Sequence, residues 1–243
     1  MSEPQRFGLS AALVSPFDER GGPDLARLVG HARAVLAEGC DSITLFGTTG
    51  EGFSIPLRER AAMLGAVAGA GISLDKVYAG VSATTVAEAA EQAELALSAG
   101  VRGLLVAPPF YLKGVDDEGL YGWFRDFLGR LGGEARGVIL YHIPGQTAVP
   151  LSSSLVRRLR DAFGGVIAGI KDSSGTGRRR SASSPTTATS PSSSATSACW
   201  RARCATAPRA ASAASPTSPR RCCGPSSTRA ATTAASMRSS KPS

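Results

Sequence analysis

The stretch GVIAGIKDSSG, residues 165–175, decides how the fold is read. Its first six residues are apolar or glycine, the signature of a parallel strand buried on both faces, and they end on a lysine, Lys171. An ammonium at the end of such a strand would lose water, which favours its neutral form, and a neutral amine attacks a ketone. The plainer alternative is a lysine that snorkels from the strand end to solvent.

Working outward, similar short apolar runs recur at Leu9 to Val14, Ser42 to Phe46, Lys76 to Ala79, Gly103 to Ala107, Gly137 to Tyr141 and Val166 to Ile170. Helical patterns lie between them. In DLARLVGHARAVLAEG the residues Leu25, Leu28, Val29, Ala32, Val35 and Leu36 keep the helical spacing until Gly39 ends it, and VAEAAEQAELALSAG ends the same way at Gly100. Strand and helix in alternation define an α/β chain with right-handed crossovers.

An open doubly wound sheet shares this pattern with a closed barrel, so the position of the unusual residues separates the two. GTTGE follows the second run, PPFY the fourth, YHIPG the fifth, and Lys171 ends the sixth. A barrel gathers such strand ends at one mouth, whereas an open sheet collects its site at a switch point. The expected fold is therefore a (β/α)8 TIM barrel, of which about six βα units are present in residues 1–175.

The candidate chemistry sits at those strand ends. Tyr141 ends the strand before Lys171, and its phenol suits proton transfer to a carbinolamine or aldol oxygen; a structural hydrogen bond at the barrel rim is the alternative. In GTTGE, Gly47 and Gly50 let the backbone approach a small anion, while Thr48 and Thr49 supply hydroxyl and amide donors for a carboxylate. The chain has two histidines, His31 on a helix and His142 beside Tyr141. So few argue against a histidine-rich zinc site, and His142 reads as a turn residue. Hydrolase, P-loop and dinucleotide fingerprints are all absent from the sequence, and neither a metal nor another cofactor is expected.

GTTGE, APPFY, YHIPGQT and GIKDSSG, in that order and each after an expected strand, resemble the dihydrodipicolinate synthase and N-acetylneuraminate lyase family over residues 7–175. The resemblance implies the (β/α)8 barrel, tetrameric assembly, and condensation or cleavage of pyruvate-containing compounds through a lysine imine. It implies Lys171 as the imine-forming residue, Tyr141 as the proton-transfer tyrosine, Thr48 as the relay threonine and Thr49 as the holder of the pyruvate carboxylate. Tyr111, in PPFY, matches a tyrosine that completes the relay from a neighbouring subunit. Gln146 stands where the lysine-precursor synthase has arginine, and it cannot form a bidentate charged pair with a second carboxylate. Aspartate semialdehyde is thereby disfavoured, and the expected substrates are pyruvate and some other aldehyde. The loop LKGVDDEG after Tyr111 is also one residue longer than the synthase pattern.

Composition changes sharply after Gly175. The 243-residue chain carries a formal charge of +8, yet residues 176–243 hold ten Arg, one Lys and no acid, a charge of +11 that leaves −3 for the remainder. The high pI thus describes the tail. Four of five cysteines, Cys199, Cys204, Cys222 and Cys223, lie there too, so Cys40 alone belongs to the core and a reducing compartment follows. With no leader pattern at the N-terminus and no apolar run approaching about 18 residues, the chain is expected in the cytoplasm without membrane contact.

The tail contains no Leu, Ile, Val, Phe or Tyr, and Ser, Thr, Ala, Pro and Arg make up 59 of its 68 residues. It cannot supply the last two strands, and its composition is that of a disordered basic segment. A displaced reading frame accounts for it better. Of these 68 residues, 66 have G or C at the second codon position, all but Met237 and Lys241. In a GC-rich gene that bias belongs to third positions. Shifting by one base turns Cys199 with Trp200 into a leucine codon and Trp200 with Arg201 into alanine. Continued to Ser218, the restored codons are compatible with LLARALRDGAAGGISGLAN, resembling the last strand region of the same family.

Three functions are therefore weighed. The first is a pyruvate-dependent lyase or synthase. The second is an inactive truncated product, its six strands leaving two edges unpaired and a poorly soluble body, whose tail binds nucleic acid by nonspecific, salt-sensitive phosphate contacts. With Trp200 as its one aromatic, the tail carries no sign of specific nucleic-acid recognition. The third is a regulatory binder that keeps the pocket without turnover, which Lys171 and Tyr141 together disfavour. Resequencing the gene across the codons for Gly175 and Thr176 is expected to show one base more or fewer than the written frame requires; an intact count would overturn the displacement.

Overall fold

The computed structural model describes residues 7–175, and the expectations for residues 176–243 lie outside the described residues. Four of the five long helices begin where a side chain captures an amide that the helix itself leaves unbonded. Asp24 accepts from the Arg27 amide at 3.0 Å to open α1 (Leu25–Ala37), and Thr85 accepts from Glu88 at 3.2 Å to open α3 (Val86–Ala99). Asp116 does the same for α4 (Asp117–Leu131) and Ser152 for α6 (Ser153–Phe163). Helix α2 (Leu57–Gly69) starts after Pro56, and α5 (Pro144–Thr147) is a single turn. Helix α3 closes on Gly100 at φ +96°, as its sequence implied.

The strands are β1 (Ser10–Ala12), β2 (Ser42–Leu45), β3 (Val77–Val81), β4 (Gly103–Val106), β5 (Val138–His142) and β6 (Ile167–Asp172). All six expected runs are strands, with no boundary moved by more than two residues. They form one parallel sheet in the order β1-β2-β3-β4-β5-β6. A strictly sequential order rules out the doubly wound alternative, which needs a reversal of strand order. The described residues thus form a six-strand partial barrel with helices along one face.

Two apolar layers hold it. Outward-facing residues such as Ile43, Val77, Leu104 and Leu140 pack with Leu28, Met63, Phe124 and Phe127 of the helices, all fully buried. The inner layer is smaller and comprises Tyr78, Leu105, Ala107, Ile139 and Tyr141, with Phe7 and Ile143 packed against it. Burial declines toward the ends of the sheet: β2, β3 and β4 are buried throughout, whereas β1 is half-buried and only Ile167 of β6 is buried. Among the described residues, β1 and β6 each pair with one strand.

Strict alternation fails in β6. Val138 pairs with Ile167 but Ile139 pairs with Gly169, so the register shifts across Ala168 and then runs Tyr141 to Lys171 and His142 to Asp172. The extra residue lets both Ile167 and Ile170 pack with the helix layer while Gly169 and Lys171 align with inward-facing Ile139 and Tyr141.

The turn after β2 is the tightest place in the sheet. Phe46 adopts φ +59°, a left-handed conformation that costs a bulky residue energy. A Cβ on Gly80 would lie 2.2 Å from the Phe46 carbonyl oxygen, and one on Gly52 would lie 2.0 Å from it. Gly80→Ala is accordingly expected to lower stability by about 1–3 kcal/mol, read as a lower denaturant midpoint at unchanged slope.

Candidate active site

Lys171 and Tyr141 are brought together by register. Their backbones are partners across the β5–β6 ladder, and the Lys171 ammonium nitrogen lies over the Tyr141 ring, 4.6 Å from its centroid. Tyr141 is 6% exposed and belongs to the inner apolar layer, while Lys171 is half-buried. The amine and a proton-carrying phenol therefore stand side by side within a barrel-type interior.

Gly47, Thr48, Thr49 and Gly50 form the turn that follows β2, at the same C-terminal end of the sheet as Lys171. Thr48 is half-buried and Thr49 exposed. The turn closes on itself: the Gly50 and Gly52 amides both donate to the Gly47 carbonyl at 3.1 Å. Gly50 is pressed from the other side, where the Ser15 hydroxyl donates to its carbonyl at 2.6 Å and a Cβ would meet the Leu13 carbonyl at 2.6 Å. Gly47, by contrast, has room for a Cβ, its nearest neighbour being 3.8 Å away. Packing against the segment after β1 is thus sufficient reason for glycine at position 50.

Tyr111 and Gln146 lie farther out on this rim. Tyr111 is 77% exposed and Leu112 70%, and Gln146 is exposed on the single turn α5. Lys113 joins their two loops by donating to the Phe110 carbonyl and, at 3.0 Å, to the Thr147 carbonyl. Phe53 of the β2–α2 segment meets Phe110 edge-on at 5.0 Å. Neither Tyr111 nor Gln146 is in contact with the Lys171–Tyr141 pair in this chain.

His142 differs from its expected place in a turn, because it is the last residue of β5. Its Nδ1 accepts from the Leu151 amide at 3.0 Å, and its Nε2 is 4.0 Å from Asp172. With Nδ1 an acceptor, the proton of the neutral ring resides on Nε2 and faces the carboxylate. The described residues hold no cluster of three His, Cys, Asp or Glu side chains able to bind a metal. None of their helices is long and apolar enough to cross a membrane.

Sequence reading passed over Arg60. It is 3% exposed, although three of the four residues in its stretch LRER are charged. Burial lowers its guanidinium to about 10, with the charge of Glu88 acting in the opposite direction, so it stays charged at neutral pH. A cleft of about 360 Å³ beside it, lined by Phe53, Glu88, Glu91 and Gln92 among others, lies behind the β2–α2 turn and includes neither Lys171 nor Tyr141. This cleft thus lies apart from the amine at the strand ends.

A parallel barrel body with a lysine and a tyrosine paired at its C-terminal mouth defines the class of protein to which this chain is comparable. The sequence model of the Dihydrodipicolinate synthetase family matches residues 5–189, and the chain belongs to that family. The match crosses the compositional boundary at Gly175. An uncharacterized DapA-like lyase of Chloroflexus aurantiacus is 35% identical over 176 residues, covering 72% of this chain and 58% of the relative. A 4-hydroxy-tetrahydrodipicolinate synthase of Synechococcus is 37% identical over 162 residues, covering 65% of this chain and 52% of the relative. The crystal structure of dihydrodipicolinate synthase from Agrobacterium tumefaciens superposes with a TM-score of 0.69 at 48% identity, over 70% of this chain and 59% of that one. The chain thus spans little more than half the length of the relatives it matches.

Proposed function

We propose that this chain carries the reactive centre of a pyruvate-dependent lyase or synthase that works through an imine on Lys171. The contact between the Lys171 nitrogen and the Tyr141 ring, 4.6 Å to its centroid, carries the reading. The neutral amine adds to the ketone carbon of pyruvate, forming a C–N bond; the carbinolamine oxygen takes a proton and leaves as water. The resulting iminium draws electrons from the neighbouring carbon. Loss of a proton there gives an enamine that adds to an aldehyde carbon, and the reverse sequence cleaves the same bond. Hydrolysis returns the free amine.

Tyr141 supplies the proton to the departing or forming oxygen, and Thr48 relays it toward bulk. Thr49, with the amides of Thr48 and Thr49, holds the pyruvate carboxylate. The exposed rim of Phe53, Tyr111 and Leu112 supports assembly with a second copy, through which Tyr111 completes the relay of a neighbouring site. Gln146 leaves that rim without a bidentate cation for a second carboxylate, which favours an aldehyde other than aspartate semialdehyde. No cofactor enters this scheme.

Borohydride added with pyruvate is expected to leave a reduced adduct on Lys171, located by peptide mass, and Lys171→Ala is expected to abolish it. Absence of the adduct from a chain whose frame has been restored after Gly175 would rule the reading out. Its absence from the 243-residue chain alone would mark that product as inactive. Tyr141→Phe in the competent form is expected to lower turnover by about 10²–10⁴-fold with little change in half-saturating pyruvate.

A further inference from the structure

Arg60 is an expensive residue to place where it is. Its guanidinium is buried between α2, α3 and the end of β3, and among the described residues no carboxylate lies within ion-pair distance of it. A desolvated charge with no carboxylate in direct contact, Glu88 acting only at longer range, costs more than an apolar side chain of similar volume would. Packing alone is therefore a poor reason for an arginine at this position.

Its hydrogen bonds supply a better one. Nε donates to the Ile55 carbonyl at 3.2 Å, one terminal nitrogen to the Gly80 carbonyl at 3.1 Å and to Gln92 Oε1 at 3.0 Å, and the other to the Gly52 carbonyl at 2.5 Å. The guanidinium plane also lies over the Phe46 ring, 5.1 Å from its centroid. Gln92 is itself fixed, its side-chain oxygen accepting from the Ser82 amide at 3.0 Å and its nitrogen donating to the Ser82 carbonyl at 3.3 Å.

Phe46 and Gly52 are the two ends of the turn that contains Thr48 and Thr49. Phe46 is held in a left-handed conformation, and its carbonyl oxygen is the atom that leaves no room for a side chain on Gly52 or Gly80. The Gly52 amide donates to Gly47 while the Gly52 carbonyl accepts from Arg60, so one residue transmits the guanidinium's position to the turn. Ser15 anchors the same turn from the opposite side at Gly50. A strained backbone persists only when its surroundings over-determine it, and here a rigid planar donor does so.

We propose that Arg60 is a positioning residue for substrate carboxylate recognition: it locks the Phe46–Gly52 turn so that Thr48, Thr49 and their amides face the substrate. This rests on the lysine-imine reading above. Lysine cannot replace it, because a single ammonium nitrogen cannot serve carbonyls on three segments in one plane.

The test compares two ketones in the wild-type full chain and in Arg60→Lys. Pyruvate carries the carboxylate; acetone does not, and both can be trapped on Lys171 with borohydride. Arg60→Lys is expected to raise half-saturating pyruvate by about tenfold or more while limiting pyruvate trapping and all acetone trapping stay within about twofold. Equal loss with both ketones would make Arg60 merely structural and overturn the proposal, as would no change with either. Hydrogen exchange provides a readout independent of trapping. Peptides spanning 46–52 are expected to exchange about tenfold faster in Arg60→Lys while those of β4 and β5 are unchanged. If wild type traps neither ketone, the lysine-imine reading fails for this chain, and unchanged exchange in 46–52 would then overturn the role of Arg60 separately.

Discussion

The register between β5 and β6 is the constraint on which the site depends. Side chains alternate across a strand, so a slip of one residue would carry Lys171 from the barrel interior to the helix layer. Uninterrupted pairing from Val138 with Ile167 would produce that outcome, because Lys171 would then fall opposite His142 and share the outward phase of Ile167. The shift across Ala168 prevents it. One unpaired residue reconciles two demands on the same short strand: two isoleucines for the core and one lysine for the interior. The 4.6 Å contact with Tyr141 follows from that local irregularity.

A second constraint acts across the mouth at the end of β2. There the backbone rather than the side chains is crowded, since Gly52 and Gly80 both yield space to one carbonyl oxygen and Phe46 takes a left-handed conformation. The turn is closed by its own amides, those of Gly50 and Gly52 donating to Gly47 and that of Glu51 to Thr48. It also needs fixing from outside, and Ser15 and Arg60 do this from opposite sides. The two halves of the mouth thus use different physics: strand register places the amine, and side-chain hydrogen bonds from Ser15 and Arg60 brace the turn.

The graded burial of the sheet bears on how much of this machinery functions in the chain as written. The interior strands β2 to β4 are enclosed, whereas β6, which carries Lys171, is mostly half-exposed. Electrostatic interactions at an amine strengthen as water is excluded, and the Lys171 strand is the less enclosed part of the sheet. The chain itself covers little more than half the length of its relatives. The described mouth holds the Lys171–Tyr141 pair and the Gly47–Gly50 turn.

Much of the architecture was legible from the sequence alone. Six apolar runs, helical apolar spacing and glycine helix ends at Gly39 and Gly100 determined the strands and helices, because each signal is local in chain and in space. The order of GTTGE, PPFY, YHIPG and GIKDSSG likewise determined which residues share one end of a parallel sheet. Only the tertiary structure decided how those residues face one another. The Ala168 shift is invisible in GVIAGIK, where apolar residues occupy nearly every position and period-two alternation cannot be phased. His142 read as a turn residue because hydrogen bonding to β6 is a nonlocal fact. Arg60 carried no signal in the sequence because its acceptors, Gly52, Ile55, Gly80 and Gln92, come from three separate segments that meet only when the sheet and its helices pack.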